Sequence, residues 1–236
     1  MKTMKKLLPV AIAMSAIATP AMAEFSANIG ATSNYVWRGV TQTNNGAAVS
    51  GGVDYEHESG IYAGTWVSNV DFGGSEPSSE TDFYAGWSTD LGDSGLGLDV
   101  GYIYYAYLDS GDDEIDFGEI YVNLSFNVLS AGIAYTSNTG DDNEDGAFDT
   151  GDLYYWVGVD FDLGEDWSAG ATVGYYDFTN DGDVGVGDIS YTNAEAHVTK
   201  SAGDFGDFTL TVSYADEDAQ NSDDDPITYV SWSKGF

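Results

Sequence analysis

The stretch Leu96-Gly-Leu-Asp-Val-Gly-Tyr-Ile-Tyr-Tyr-Ala-Tyr-Leu108 decides the fold, because its apolar side chains recur at every second position. The apolar parity holds Leu96, Leu98, Val100, Tyr102, Tyr104, Ala106 and Leu108. The opposite parity begins with Gly97, Asp99 and Gly101. A period of two is that of a β-strand, and the contrast between the parities indicates that the two faces meet different surroundings.

Clusters of Gly, Asp, Asn and Ser divide the chain after residue 23 into twelve such runs. The runs are Phe25–Trp37, Val49–Tyr55, Ile61–Phe72, Asp82–Ser88, Leu96–Leu108, Ile120–Phe126, Leu129–Tyr135, Leu153–Phe161, Trp167–Tyr175, Ala194–Val198, Phe208–Tyr214 and Val230–Phe236. Connections after even-numbered runs are compact, whereas most of those after odd-numbered runs are long and acidic. This alternation is typical of bacterial outer-membrane barrels. We therefore predict an all-β fold, a transmembrane up-and-down antiparallel β-barrel of about twelve strands, give or take two, with both termini periplasmic.

A soluble β-sandwich also alternates, so the chemistry of the two faces decides between the two folds. The apolar parities are rich in Leu, Val, Ala and Tyr, and Trp or Tyr often marks a strand end, as at Trp87 and Trp167. The opposite parities hold Gly, Ser, Thr, Asn and Asp, which are too polar for a second packed layer. The barrel is therefore favoured, surrounded by outer-membrane lipid and lipopolysaccharide.

The two ends of the chain carry export signals. Residues 1–23 combine an N-terminal cluster of lysines, an apolar stretch and Ala21-Met-Ala23, the three parts of a secretory signal peptide. We predict cleavage before Glu24, which leaves residues 24–236 as a single barrel domain. The last strand ends at Phe236, and a terminal aromatic residue is the signal read by the barrel insertion machinery. Lys234 departs from the apolar residue usual at its position, but it can snorkel to the interface.

The charge balance excludes nucleic acid as a partner. The chain has 40 Asp and Glu against 6 Lys and Arg, and without residues 1–23 only three cations remain, which gives a net charge of −37. Nucleic-acid binding requires basic patches that displace counterions from phosphates. The chain has no cysteine, so disulfides and thiolate metal sites are excluded as well. With 14% aromatic residues it is too apolar to remain disordered.

The segment Ser33-Asn-Tyr-Val-Trp-Arg-Gly-Val-Thr-Gln-Thr43 resembles the TorF-type porins of Gram-negative bacteria. The resemblance continues along the mature chain to the terminal Phe. It implies an outer-membrane channel for the passive diffusion of small solutes, with no cofactor required.

Arg38 is the only arginine in the chain and the first candidate site residue. Its parity opposes that of Tyr35 and Trp37, so we predict that it lies on the lumen side of the first strand, toward the outer mouth. One interpretation is a structural ion pair with a lumen or loop carboxylate. The other is a constriction that sets passage together with facing acids such as Asp82 or Asp99.

The acidic loop at 141–152 matches the twelve-position calcium loop. The candidate ligands are Asp141, Asn143, Asp145, Asp149 and Asp152. Asp152 replaces the usual bidentate Glu, and no flanking helices are predicted. Calcium binding and a solvated acidic loop both remain open.

Three functional classes follow from these residues. The first is a channel that favours cations because its acidic outer loops create a negative potential, although a saline habitat would explain the same acidity. The second is a structural or adhesive barrel whose lumen is largely filled by Tyr84, Ile103, Tyr105, Tyr107, Tyr154 and Trp156. The third is a membrane-embedded hydrolase, disfavoured because His197 and Glu195 share a face but no serine motif accompanies them. We therefore predict no catalytic residues.

Overall fold

The computed structural model describes residues 24–74, 77–110, 115–140, 149–183, 187–216, 219 and 225–236. Within these ranges the chain forms fourteen strands and two short 3-10 turns, Gly92–Ser94 and Gly203–Phe205. The strands are β1 (Glu24–Thr32), β2 (Val36–Trp37), β3 (Val40–Thr41), β4 (Ala48–Glu56), β5 (Ile61–Asn69), β6 (Ser79–Asp90), β7 (Leu96–Ala106), β8 (Phe117–Phe126), β9 (Leu129–Thr139), β10 (Leu153–Gly164), β11 (Trp167–Asp177), β12 (Tyr191–Ser201), β13 (Asp207–Ala215) and β14 (Ile227–Gly235).

Twelve of these strands, β1 and β4 to β14, close into an antiparallel barrel. Each strand pairs with its neighbours along the chain, and β14 closes the barrel against β1, where Ala31 lies opposite Trp232. The remaining strands, β2 and β3, form a separate two-stranded hairpin. The predicted fold class and strand number are confirmed. In the described part of the chain, no helix is long and apolar enough to cross a membrane.

The two ends of the barrel differ in their connections. At one end, which we call the short-turn end, the strands are joined by tight turns, and Glu24 and Phe236 lie there too. Glu165 and Asp166 join β10 to β11 with φ of 52° and 64°, as the two-residue turn of a tight hairpin requires. The other end, the long-loop end, carries the long connections of the predicted pattern.

The outer face of the barrel is apolar and has an aromatic row near each rim. Exposed Trp and Phe side chains lie near the short-turn end, at Phe25, Trp87, Phe126, Phe161, Trp167 and Phe208. Exposed Tyr side chains lie near the long-loop end, at Tyr102, Tyr135, Tyr155 and Tyr175. Between them lie exposed aliphatic side chains such as Val53, Val67, Leu124, Val157, Val173 and Leu210. An apolar band between two aromatic girdles is the exterior of a transmembrane barrel.

Lys234, which replaces the apolar residue usual at its position in the last strand, lies near the rim of the short-turn end. Lys234 donates from Nζ to the carbonyl oxygen of Asp204 at 2.5 Å, in the turn between β12 and β13. Its ammonium group lies 5.3 Å from the ring centre of Phe236. The side chain thus reaches the short-turn rim, as snorkelling requires.

Candidate functional site: the loop inserted into the barrel

The connection between β1 and β4, residues 33–47, folds into the barrel interior, and we call it the inserted loop. The prediction that the first strand continues to Trp37 was wrong, because β1 ends at Thr32. The amide of Asn34 turns the chain here: Oδ1 accepts from Thr41 Oγ1 at 2.6 Å, and Nδ2 donates to Asn45 Oδ1 at 3.0 Å. Such side-chain bonds compete with the strand ladder, so the chain leaves the barrel wall.

The tip of the inserted loop is the tight turn between β2 and β3. Arg38 and Gly39 form it with φ of 49° and 89°. A Cβ at Gly39 would lie 2.8 Å from Asn193 Cβ and 2.9 Å from Ala215 Cβ. Only glycine therefore fits, since the turn requires a positive φ and its backbone contacts the wall formed by β12 and β13.

Arg38 lies at this tip and pairs with Glu119 of β8. Nη1 donates to Glu119 Oε1 at 2.8 Å and Nη2 donates to Oε2 at 2.7 Å, a bidentate pair. The side chains are 10% and 2% exposed. The guanidinium also lies 4.1 Å from the ring centres of Trp37 and Tyr154. Stacking and bidentate pairing together hold the charge in a site removed from water.

The placement of Arg38 departs from the sequence analysis in two respects. It lies in the turn of the inserted loop rather than on the first strand, and its partner is Glu119 rather than Asp82 or Asp99. The ion pair with a lumen carboxylate agrees with the first of the two interpretations of Arg38. Glu119 was missed, although its position next to Ile120 gives it the lumen parity. The sequence does carry a signal for Glu119: it is an acid on the polar face of a strand, close to the end of that strand that joins a long loop.

Trp37 packs the inserted loop against aromatic residues of the barrel wall. Its ring centre lies 5.7 Å from that of Tyr105 and 6.1 Å from that of Phe117, on β7 and β8. It also lies 6.1 Å from the ring centre of Tyr176, on β11. The Trp37 ring therefore joins two separate parts of the wall, β7 with β8 and β11.

Tyr35 anchors the inserted loop to β6. Its hydroxyl donates to Glu80 Oε1 at 2.7 Å, while the hydroxyl of Tyr107 donates to Glu80 Oε2 at 2.6 Å. The Tyr35 ring centre lies 5.5 Å from that of Trp66. Burial, together with the charge of Glu80, raises the pKa of Tyr35, so its hydroxyl remains a donor.

The other two predicted pore residues, Asp82 and Asp99, do not pair with Arg38 and lie at different depths in the barrel. Asp82 is on the lumen face of β6, near its long-loop end, and is 5% exposed. Its Oδ1 has no hydrogen-bond partner among the described residues. Asp99 lies near the short-turn end of β7, where it accepts from Tyr62 at 2.6 Å and from Asn123 at 3.2 Å.

Large lumen side chains lie along the wall over glycines of neighbouring strands. A Cβ at Gly64 would lie 2.5 Å from the Tyr84 hydroxyl, and a Cβ at Gly132 would lie 2.6 Å from Trp156 Cε2. Tyr62, Tyr121 and Tyr154 lie in the same way over Gly86, Gly101 and Gly174. A ring that lies over a glycine runs beside the wall rather than toward the barrel axis. These side chains therefore occupy less of the central lumen than the interpretation of a largely filled barrel requires.

The remaining titratable residues of the lumen have separate partners. His197 Nε2 lies 3.4 Å from Asp160 Oδ1, while Glu195 accepts from Tyr229 at 3.0 Å. His57 lies in a short turn, with Nδ1 at 2.8 Å from Ser59 Oγ. Of the two residues considered for hydrolysis, His197 therefore contacts Asp160, and Glu195 contacts Tyr229.

The candidate calcium loop is described only at its end. Asp141, Asn143 and Asp145 lie outside the described residues. Asp152 is 1% exposed and accepts from the backbone N–H groups of Asp149 and Thr179, both at 2.8 Å. Burial raises the pKa of Asp152, whereas the hydrogen bonds from Thr179 lower it. In the ranges that the structure describes, no three Asp, Glu or His side chains are grouped so that they could hold a metal.

The fold is similar to solved outer-membrane porins and channels. The KdgM porin aligns with a TM-score of 0.58 and 10% identity over 89% of this chain and 98% of that chain. The NanC porin aligns with a TM-score of 0.53 and 12% identity over 90% and 98%. An outer-membrane channel from Pseudomonas putida F1 aligns with a TM-score of 0.54 and 10% identity over 93% and 97%. The likeness establishes the fold, and the apolar, girdled exterior of the closed barrel places it in a bacterial outer membrane.

Sequence comparisons define the family. Comparison with curated proteins finds no match. The porin-like fold that the resemblance of residues 33–43 implied is confirmed, whereas the TorF naming is not. The family model Gcw_chp, described as a bacterial protein of unknown function, matches residues 16–231, and the chain belongs to this family.

Proposed function

We propose that the protein is an outer-membrane channel for the passive diffusion of small solutes, and that the inserted loop sets what passes. The observation that carries the proposal is the position of Arg38, held between Glu119 on one wall and the contact of Gly39 with the opposite wall. A loop that crosses the lumen at this level leaves any solute in contact with its side chains. The similarity of the fold to porins supports a channel.

The first test is the conductance of single barrels in planar bilayers. Arg38→Ala removes the side chain that joins the inserted loop to β8, so we expect a larger conductance and a stronger preference for cations. Lys200→Ala is the matched control, because it removes a cation from the rim of the short-turn end and leaves the lumen unchanged. Unchanged conductance and reversal potential in Arg38→Ala would show that Arg38 does not set passage.

We further propose that the channel prefers cations. Lumen acids outnumber lumen cations among the described residues, and the one guanidinium is already paired with Glu119. The acids are Asp54, Glu80, Asp82, Asp99, Glu119, Asp160 and Glu195. The KdgM porin has been solved in complex with disordered oligogalacturonate, a polyanion, for which this lumen offers no free guanidinium. A reversal potential in a potassium chloride gradient that indicates selectivity for chloride would contradict this preference.

A structural or adhesive barrel is the second candidate, and the burial of the long-loop half favours it. Tyr105, Glu119 and Tyr176, which face the inserted loop, are each 6% exposed or less. If the loop never moves, the lumen stays closed at that level. Absence of conductance both in the wild type and in a variant without the loop tip would support this candidate over a channel.

The calcium proposal concerns the loop at 141–152. The carboxylate of Asp152 already accepts two backbone N–H groups, so any calcium site would depend on the acids that precede it. Calorimetry of the refolded barrel tests the proposal, with Asp145→Asn as the variant. Calcium heat that Asp145→Asn removes supports a site, and heat that it leaves unchanged indicates non-specific binding.

Two further proposals concern the export of the protein and its insertion into the membrane. We propose that residues 1–23 are removed and that the insertion machinery reads the last strand up to Phe236. Mass spectrometry of the protein purified from membranes tests the first point, with Glu24 as the expected first residue. Deletion of Phe236 should reduce the amount of inserted barrel.

A further inference from the structure

Asp82 is a buried lumen acid whose hydrogen bonding is incomplete among the described residues. It is 5% exposed, and its Oδ1 has no partner among the described residues. By contrast, Glu119 is paired with Arg38, and Asp99 accepts from Tyr62 and Asn123. A carboxylate removed from water without a donor is unfavourable. A donor that enters from solution would therefore meet an acceptor that the described residues leave unpaired.

An aromatic residue lies beside Asp82 on each of the two neighbouring strands. Trp66 on β5 and Tyr105 on β7 lie directly opposite Asp82 in the sheet, with their side chains on the same face. Directly opposed side chains have Cβ atoms about 5 Å apart. The inserted loop covers the group from the lumen, since Tyr35 packs on Trp66 and Trp37 packs on Tyr105.

A second carboxylate adds charge to the same position. Glu80 precedes Asp82 by two residues on the same face of β6, a separation of about 7 Å along a strand. Both Glu80 oxygens accept hydroxyl donors, from Tyr35 and Tyr107, and this arrangement suits the ionised form. Arg38, the guanidinium of the inserted loop, is already paired with Glu119. Arg38 therefore does not neutralise the pair formed by Glu80 and Asp82, and a cation that enters from solution can do so.

We infer that Asp82, together with Glu80, binds the protonated amine of a small solute between the rings of Tyr35, Trp37, Trp66 and Tyr105. An unpartnered carboxylate oxygen accepts an N–H donor, and aromatic faces attract an organic cation. A calcium ion fits less well, because it takes six to eight oxygen ligands and the described residues hold no group of three acids around it. The inference rests on the proposed function only in that it names a class of solute for the channel. Binding of the amine at Asp82 can be measured whether or not the barrel transports it.

The test is binding of propylammonium to the full-length refolded barrel, followed by saturation-transfer NMR. We expect saturable binding to the wild type. Asp82→Asn should weaken it by at least about tenfold, since it removes a charged acceptor from a buried site. Asp99→Asn is the matched control, because Asp99 is a lumen acid with its hydrogen bonds already made, and it should bind as the wild type does.

A second probe keeps the test independent of any variant. Tetramethylammonium carries the same charge but has no N–H group, so the wild type should bind it more weakly than propylammonium. Equal binding of the two probes, no saturable binding of propylammonium, or equal binding by Asp82→Asn and the wild type would each overturn the inference.

Conductance in propylammonium chloride separates this inference from the proposed function. Binding of the amine without any current would leave the site at Asp82 standing and contradict the channel. A current carried by the amine without saturable binding would support the channel and contradict the site.

Discussion

The two halves of the barrel interior are built from the same strands but hold their side chains differently. In the long-loop half, the inserted loop packs between opposite walls, and the wall residues Tyr105 and Tyr176 are 6% and 0% exposed. In the short-turn half, the described connections are tight turns, and lumen residues such as Asn28, Ser168 and His197 keep partial exposure. The side chains of the long-loop half are more buried because one segment, residues 33–47, packs against them. Control of passage is therefore expected in the loop rather than in the walls.

The buried ion pair gives the largest expected effect on stability. Arg38→Ala leaves Glu119 buried without its cation, and breaking a buried pair in this way costs about 3–5 kcal/mol. We expect a clear fall in the unfolding temperature of the refolded barrel, measured by the gel shift of the heated protein. Lys200→Ala breaks an exposed pair, where the cost is about 0–1 kcal/mol, and serves as the control.

A second substitution tests the cause of that loss. Adding Glu119→Gln to Arg38→Ala removes the uncompensated charge, so part of the lost stability should return. If the double variant is no more stable than Arg38→Ala, the cost does not arise from the buried carboxylate.

The sequence was sufficient to predict the barrel but not the inserted loop. Period-two alternation reports which face a residue occupies, and Leu96 to Tyr104 follow it throughout β7. It does not report where a strand ends, because Tyr35 and Trp37 continue the alternation of β1 while belonging to the loop. The departure depends on the hydrogen bonds of Asn34 with Thr41 and Asn45, which form only when the loop has folded.

The candidate site could be predicted only in part for the same reason. Arg38 was identifiable because it is the one arginine of the chain. Its partner Glu119 lies 81 residues away on β8, and the alternation gives the face of a residue but not which strands the loop contacts. Asp82 and Asp99 were correctly expected on the lumen face, while their different depths and partners depend on the register of β6 and β7.

Gly39 gives the next effect, because it tests the contact of the loop tip with the wall. Gly39→Ala places a Cβ within 3 Å of Asn193 Cβ and Ala215 Cβ, and overpacking of this kind costs about 1–3 kcal/mol. The unfolding temperature should fall, and the conductance should rise as the tip withdraws. Gly73→Ala is the matched control, since Gly73 has a similar φ of 84° and no atom near its Cβ position.

If both glycine variants lose the same stability, the effect comes from the positive φ alone. The tip would then not depend on its contact with β12 and β13.

The smallest effect is expected in the short-turn half and the wall beside it. Gly64→Ala should push the Tyr84 ring off the wall toward the axis, since the new Cβ would lie 2.5 Å from its hydroxyl. The ring end can move, so stability should change little while conductance decreases slightly. Gly235→Ala, which meets no atom closer than 4.0 Å, is the control and should leave both unchanged. A large loss of stability in Gly64→Ala would mean that the ring is fixed rather than resting on the wall.

The central claim, that the inserted loop sets passage, is tested most directly by removing its tip. Val36 and Thr41 lie opposite each other in the β2–β3 hairpin, so residues 37–40 can be replaced by two glycines while Thr41 keeps its hydrogen bond to Asn34 at the base of the loop. Single-channel conductance of this variant should exceed that of the wild type severalfold, with the barrel still folded by its gel shift. A folded variant with the conductance of the wild type would contradict the account.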